Sequence, residues 1–194
     1  MDEGRQAGAS SDPDQGARAS TRKGLVIVHT GDGKGKTTAA LGLLMRAWGR
    51  DMKVVMFQFI KNRNAHWGEI RAARKMGVEL IPLGDGFVFS AQCEKNKSLA
   101  LEGWALCKER ILAPPGAYDL IILDEITYLF HYGWLPLQEV VETLDRRPPL
   151  RHVVMTGRYA SQALISYADL VTEMRMIKHP FVDQGIKAQP GIEF

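Results

Sequence analysis

A β-branched run, Gly24-Leu25-Val26-Ile27-Val28-His29-Thr30, passes directly into Gly31-Asp32-Gly33-Lys34-Gly35-Lys36-Thr37-Thr38, where a helical pattern begins. Few folds tolerate this junction. A strand must stop, a glycine-rich turn must curl, and a helix must start at Lys36 with its N–H groups aimed back at the turn. That geometry wraps a polyphosphate. The phosphate-loop pattern asks for Gly, any four residues, then Gly-Lys-Ser/Thr. Counting back from Gly35-Lys36-Thr37 places Thr30 at the first position, so Gly31, Gly33 and Gly35 must supply the backbone freedom. Lys36 would set its ammonium among phosphate oxygens, Lys34 adds a second cation, and Thr37 offers a hydroxyl to Mg²⁺. A glycine turn without ligand is the plain alternative; two lysines between glycines after a strand argue against it. Such loops serve many reactions, so the reaction is not set by the loop.

From Lys53 onward strands and helices alternate. Strands are expected at 24–30, 53–60, 78–83, 118–125, 152–156 and 169–176, and helices at about 36–49, 67–76, 91–112, 136–144 and 159–166. Leu41, Leu44, Met45 and Trp48 recur at helical spacing, and Trp48 is expected in the core. Residues 178–194 read as irregular. The pattern predicts an α/β fold: a doubly wound, mainly parallel sheet, like that of P-loop NTPases, with helices on both faces and ligands at the carboxyl ends of the strands. At 194 residues, 23–194 is expected to be one domain preceded by a small, polar tail at 1–22 that is either disordered or a lid.

Tyr118 to Glu125 (YDLIILDE) brings adjacent acids, Asp124 and Glu125, to the end of an apolar strand. Alone they could favour a helix N-terminus; with the loop at 31–37 they read as a metal-holding pair. Three further stretches stay open on physical grounds. The basic end of the second strand, Lys61-Asn62-Arg63-Asn64, is a ligand loop or a solvated turn. Gly84-Asp85-Gly86-Phe87-Val88-Phe89-Ser90 offers two aromatics to a flat apolar partner or tucks them into the core. Arg158, just past the fifth strand, clamps phosphate or lies on the surface. The net charge of +3 is too small to indicate nucleic acid, no apolar run suits a membrane, and two cysteines, Cys93 and Cys107, without metal spacing fit the reducing cytoplasm.

Taken together, Thr30 to Thr38, Val54 to Lys61, Gly84-Asp85-Gly86-Phe87, Ile122 to Tyr128, Thr156-Gly157-Arg158 and the tail from Lys178-His179 to Gly191-Ile192 resemble the P-loop class of ATP:corrinoid adenosyltransferases. The resemblance covers nearly everything after the first twenty residues. It implies that a corrinoid Co(I) attacks C5′ of ATP and expels tripolyphosphate, without a covalent nucleophile from the protein. It further implies that the loop grips the leaving group, with the phosphate chain reversed relative to hydrolases. On this reading Gly31, Asp32, Gly33, Lys34, Gly35, Lys36, Thr37 and Thr38 bind ATP, with Arg158 and Lys178 as further phosphate contacts. Thr37 and Glu125 hold Mg²⁺ (or Mn²⁺), with Asp124 behind them, and Phe87 and Phe89 face the lower side of the corrin. The family pattern at that wall is Phe-x-Trp followed by Glu-Thr, whereas this chain has Phe87-Val88-Phe89-Ser90-Ala91. The resemblance also implies a homodimer, a cytoplasmic location, an electron-donor protein such as a flavodoxin or flavin reductase, and a lid role for 1–22. The loop alone would equally serve a P-loop ATPase, a small-molecule kinase or a non-enzymatic nucleotide-binding module.

Overall fold

In the computed structural model, residues 22–62, 67–84, 86 and 94–193 are described. The chain runs β1 (Val26–Thr30), α1 (Lys36–Trp48), β2 (Val54–Asn62), α2 (Gly68–Met76), β3 (Glu79–Gly84), α3 (Glu94–Leu112), β4 (Leu120–Asp124), α4 (Thr127–His131), α5 (Leu137–Asp145), β5 (His152–Thr156), α6 (Gln162–Tyr167), β6 (Leu170–Glu173) and α7 (Pro180–Gln184). The strands form one six-stranded sheet in the order β3-β2-β4-β5-β1-β6, parallel at every pairing. Strand β5 therefore lies between the loop strand β1 and the acid strand β4. This is the RecA-like form of the P-loop α/β fold.

Both faces of the sheet are covered, as parallel sheets require. Alternate residues divide between two apolar layers. Val28, Phe57, Leu123 and Met155 meet α3, α5 and α6 through Trp104, Val140 and Leu164. Ile27, Met56, Ile122 and Val154 meet α1 through Ala40 and Leu44. Two residues further along β1, β2, β4 and β5, that second layer ends in polar groups: His29, Gln58, Asp124 and Thr156, all buried. The apolar stacking of the central strands thus gives way to a polar row under the start of α1.

Several expectations need correction. Trp48 is 45% exposed, its indole N–H donating to the Met76 carbonyl (3.0 Å), and Met45 is 63% exposed. Both lie on the outer side of α1, because the helix buries only Lys36, Ala40, Leu44 and Ala47. Strand β2 continues through Asn62, and Lys61 is consumed in an ion pair with Glu69 and lies 4.9 Å from the centre of the Trp67 ring. Strand β6 is shorter than expected, ending at Glu173. The irregular tail contains α7, begun by Pro180, capped by the His179 side chain, and ended by left-handed Gly185. Five residues are too few to show a helical period. The tail 1–21, Phe87, Phe89 and Cys93 lie outside the described residues. Cys107 is buried and free, and burial pushes its thiol well up. Among the described residues no helix is long and apolar enough to cross a membrane.

Candidate nucleotide and metal site

The loop between β1 and α1 is shaped by its glycines. Gly31 (φ 96°) and Gly35 (φ 105°) adopt left-handed backbone that other residues take only at a cost. A Cβ on Gly31 would come 2.4 Å from the Met174 carbonyl oxygen, and one on Gly33 would come 2.7 Å from the same atom. That approach exists because the chain leaving β6 runs along the loop. Gly33 N–H donates to Met174 O (2.7 Å), Met174 N–H to Thr30 O (2.8 Å), and Met176 N–H to the Asp32 carboxylate (3.3 Å). Thr30, standing where the pattern has glycine, is buried and accepts the Ala160 N–H on its hydroxyl (3.3 Å).

Lys36 opens α1 and turns its side chain back into the loop. Its ammonium donates to the carbonyls of Gly31 and Gly33, both at 2.8 Å, and only 7% of the residue is exposed. An ammonium has three donors, so these two bonds brace the loop and leave one for a phosphate oxygen. Burial lowers the Lys36 pKa, and the Glu125 carboxylate opposes that shift. Lys34 stays on the rim, paired with Glu193 (2.8 Å). Asp32 and Thr38 are exposed at the mouth of the loop.

The acids lie beside this loop. Thr37 donates its hydroxyl proton to Asp124 Oδ1 (2.9 Å). Asp124 is fully buried, and it also accepts from the Thr156 hydroxyl (2.6 Å) and the Gln58 amide (3.2 Å). Three donors on one carboxylate leave it little capacity to ligate an ion directly, but by taking the Thr37 proton it leaves the lone pairs of that hydroxyl free. Glu125 follows in left-handed backbone (φ 62°), and its Oε2 is buried without a hydrogen-bond partner. Burial first, and Asp124 next to it, raise the Glu125 carboxyl to about 7, against the pull of Lys36, Arg158 and Lys61. A buried carboxylate oxygen with no donor on Glu125, and on Thr37 a hydroxyl whose proton is already committed to the neighbouring Asp124, fit a hard divalent cation whose other ligands are phosphate and water. Among the described residues no group of three His, Cys, Asp or Glu side chains could hold a metal without such help.

Arg158 is exposed on this edge of the sheet, near enough to Lys36, Glu125 and Tyr128 for its charge to shift all three. Lys178 is exposed two residues beyond Met176. Phe59, Leu99, Tyr128, Leu129 and Trp134, together with Asn96, line a small cavity of about 10 Å³, and Gly84 and Gly86 form its edge. Sequence reasoning missed Gln58 and Thr156 as holders of Asp124. Gln58 was detectable as the single amide in an otherwise apolar strand (VVMFQFI), and Thr156 had been noted only as the residue before Gly157-Arg158.

Residues 22–194 match the family model described as ATP:corrinoid adenosyltransferase BtuR/CobO/CobP. The chain is 42% identical over 179 residues to the corrinoid adenosyltransferase of Escherichia coli (strain K12), covering 92% of this chain and 89% of that one. It is 41% identical, also over 179 residues, to the corrinoid adenosyltransferase CobA of Salmonella typhimurium, with the same coverage. The relative from Pseudomonas aeruginosa, also named corrinoid adenosyltransferase, is 39% identical over 180 residues, with 92% and 87% covered. Among solved structures, the flagellar accessory protein FlaH from Methanocaldococcus jannaschii superposes with a TM-score of 0.51 at 11% identity, over 77% of this chain and 70% of that one. At that identity the likeness concerns the fold alone.

Proposed function

The chain belongs to the ATP:corrinoid adenosyltransferase family, and from that premise we propose how its site carries out the transfer. The enzyme moves the 5′-deoxyadenosyl group of ATP to the Co(I) centre of a corrinoid. The cobalt lone pair forms the Co–C5′ bond, the C5′–O bond breaks, and its electrons leave with tripolyphosphate. No side chain is alkylated, so the protein works by holding both partners and stabilising charge on the departing phosphates. The loop from Gly31 to Thr38 grips that leaving group, Lys36 from inside and Lys34 from the rim, with Arg158 and Lys178 reaching the outer phosphates.

Thr37 and Glu125 hold Mg²⁺ (or Mn²⁺), and Asp124 orients Thr37. An ion held there by Thr37 and Glu125 would supply charge neutralisation to the triphosphate as it leaves. The observation that carries this assignment is the unpartnered, buried Oε2 of Glu125, the residue after the Asp124 that takes the Thr37 hydroxyl proton. Phe87 and Phe89 are assigned to the lower side of the corrin, where phenyl rings would offer it apolar faces. We assign residues 1–22 as a lid on a single domain at 23–194, a homodimer as the working unit, a reduced flavoprotein as electron donor and the cytoplasm as the compartment.

Mixing the protein with ATP, Mg²⁺ and chemically reduced corrinoid is expected to give a light-sensitive alkylcobalt spectrum and stoichiometric tripolyphosphate. Corrinoid-independent release of ADP and orthophosphate would instead mark an ATPase. Phe89→Ala is expected to leave ATP affinity within about twofold and slow adenosylation by about tenfold or more, since it removes only packing against the corrin. Equal rates for the two proteins in the spectral assay would place that ring away from the corrinoid.

A further inference from the structure

The insertion of β5 between β1 and β4 puts its last residue, Thr156, between the phosphate loop and the acids. Thr156 is fully buried, and its hydroxyl serves two partners. It donates to Asp124 Oδ1 (2.6 Å) and accepts the backbone N–H of Glu125 (2.9 Å). Glu125 is a non-glycine residue in left-handed backbone, a conformation that persists only where neighbours hold it. The two residues after Thr156 add to the hold. Gly157 (φ 134°) donates its N–H to His29 O (3.2 Å) on the loop strand. A Cβ on Gly157 would fall 2.1 Å from Thr127 Oγ1 and 3.1 Å from Glu125 Oε2. Thr127 in turn donates its hydroxyl to Arg158 O (2.5 Å). The end of β5 is therefore a template against which residues 124–127 are moulded, and Thr156 is the only part of it that touches both acids.

We propose that Thr156 is a positioning residue for the metal: through one hydroxyl it fixes the Asp124 carboxylate that aims Thr37 and the Glu125 backbone that aims the second ligand. This rests on the assignment of Thr37 and Glu125 as metal holders. Without the hydroxyl, Asp124 loses its shortest hydrogen bond and the Glu125 N–H loses its acceptor, so the left-handed turn relaxes and the two ligands separate. Partners one step behind a metal's ligands typically set its affinity to within 10- to 100-fold.

The test compares ATP dissociation constants, by equilibrium dialysis, in Mg²⁺ and in EDTA, for wild type, Thr156→Val and Thr156→Ser. In Thr156→Val, which keeps the shape and removes the hydroxyl, the Mg²⁺-dependent gain in ATP affinity is expected to fall by about tenfold or more. Binding in EDTA should stay within about twofold, and Thr156→Ser should restore the gain. A Thr156→Val protein that keeps the wild-type gain overturns the proposal. So does one that loses affinity equally in Mg²⁺ and EDTA, because that is general damage to the loop. If Thr156→Val does not fold, Thr156→Ala is read by the same criteria. A wild-type chain whose ATP affinity ignores Mg²⁺ overturns the metal assignment and this inference with it, whereas an unaltered gain in the valine variant overturns this inference alone.

Discussion

Lys36→Ala is expected to lower kcat/KM for ATP by about 10²–10³-fold, the range for losing one preorganised group that stabilises developing charge. The size of the effect follows from two tasks held by one ammonium. It braces the loop through the carbonyls of Gly31 and Gly33, and in the proposed function its third donor takes an oxygen of the leaving phosphates. Lys36→Arg should not rescue it, because a planar fork cannot point between two carbonyls of one tight turn as a compact ammonium does. Initial rates of alkylcobalt formation at saturating Co(I) corrinoid check both variants. A Lys36→Ala protein within threefold of wild type would remove the loop from the chemistry. By contrast, Lys34 lies on the exposed rim beside Glu193, and Lys34→Ala should change stability by less than about 0.5 kcal/mol.

Glu125→Gln should make the protein more stable and its metal site inert. Burial and Asp124 hold the Glu125 carboxyl at about 7 where an ordinary glutamate titrates at 4.5. Between those two values the unfolded chain has released a proton that the folded chain retains. Stability therefore falls as pH rises from about 4.5 to about 7 and then levels off. Keeping the ionised form in the fold at pH 8 costs about 3 kcal/mol by that difference. In EDTA at pH 8, Glu125→Gln is expected to melt several degrees above wild type, and the two should converge below pH 4.5. Added Mg²⁺ and ATP should raise the wild-type melting temperature by mass action and raise that of the variant far less. Calorimetry across pH, with and without metal, reads both halves. A variant less stable than wild type at pH 8 would show that Glu125 is held by contacts instead of tolerated for a ligand.

Much of this site was legible before any coordinates. The loop was readable because glycine, lysine and threonine at fixed spacing follow a β-branched run and open a helical pattern, and Asp124-Glu125 because the two acids end an apolar strand in a chain that carries such a loop. The alternation of apolar runs with helical periods gave the parallel sheet, though not its strand order. Nothing local to residues 152–156 says that β5 inserts between β1 and β4, since neighbours in a sheet are chosen by long-range packing. Thr156 and Gln58 stayed hidden for that reason: their hydroxyl and amide acquire meaning only once β4 lies between their strands, next to both. Trp48 lies outside the core because a 3.6-residue period assigns a face and not a depth, and α1 meets the sheet over a narrow apolar stripe, Ala40, Leu44 and Ala47. Arg151 was invisible altogether. It is 1% exposed and spends its guanidinium on the carbonyls of Arg110, Ile111, Ala113, Pro114 and Tyr118, tying the end of α3 to the sheet.

The strand order also dictates a schedule during synthesis. Of the six described strands β1 is made first, yet its partners in the sheet are β5 and β6, made fifth and sixth. Until then Val26, Ile27 and Val28 have no ladder to join, and the segment bearing the phosphate loop must wait, apolar and unpaired, while β2, β3 and β4 assemble beside it. Nascent chains stalled before residue 152 should accordingly be protease-sensitive near their amino end and bind chaperones there, and nucleotide affinity should be born only with the final strands.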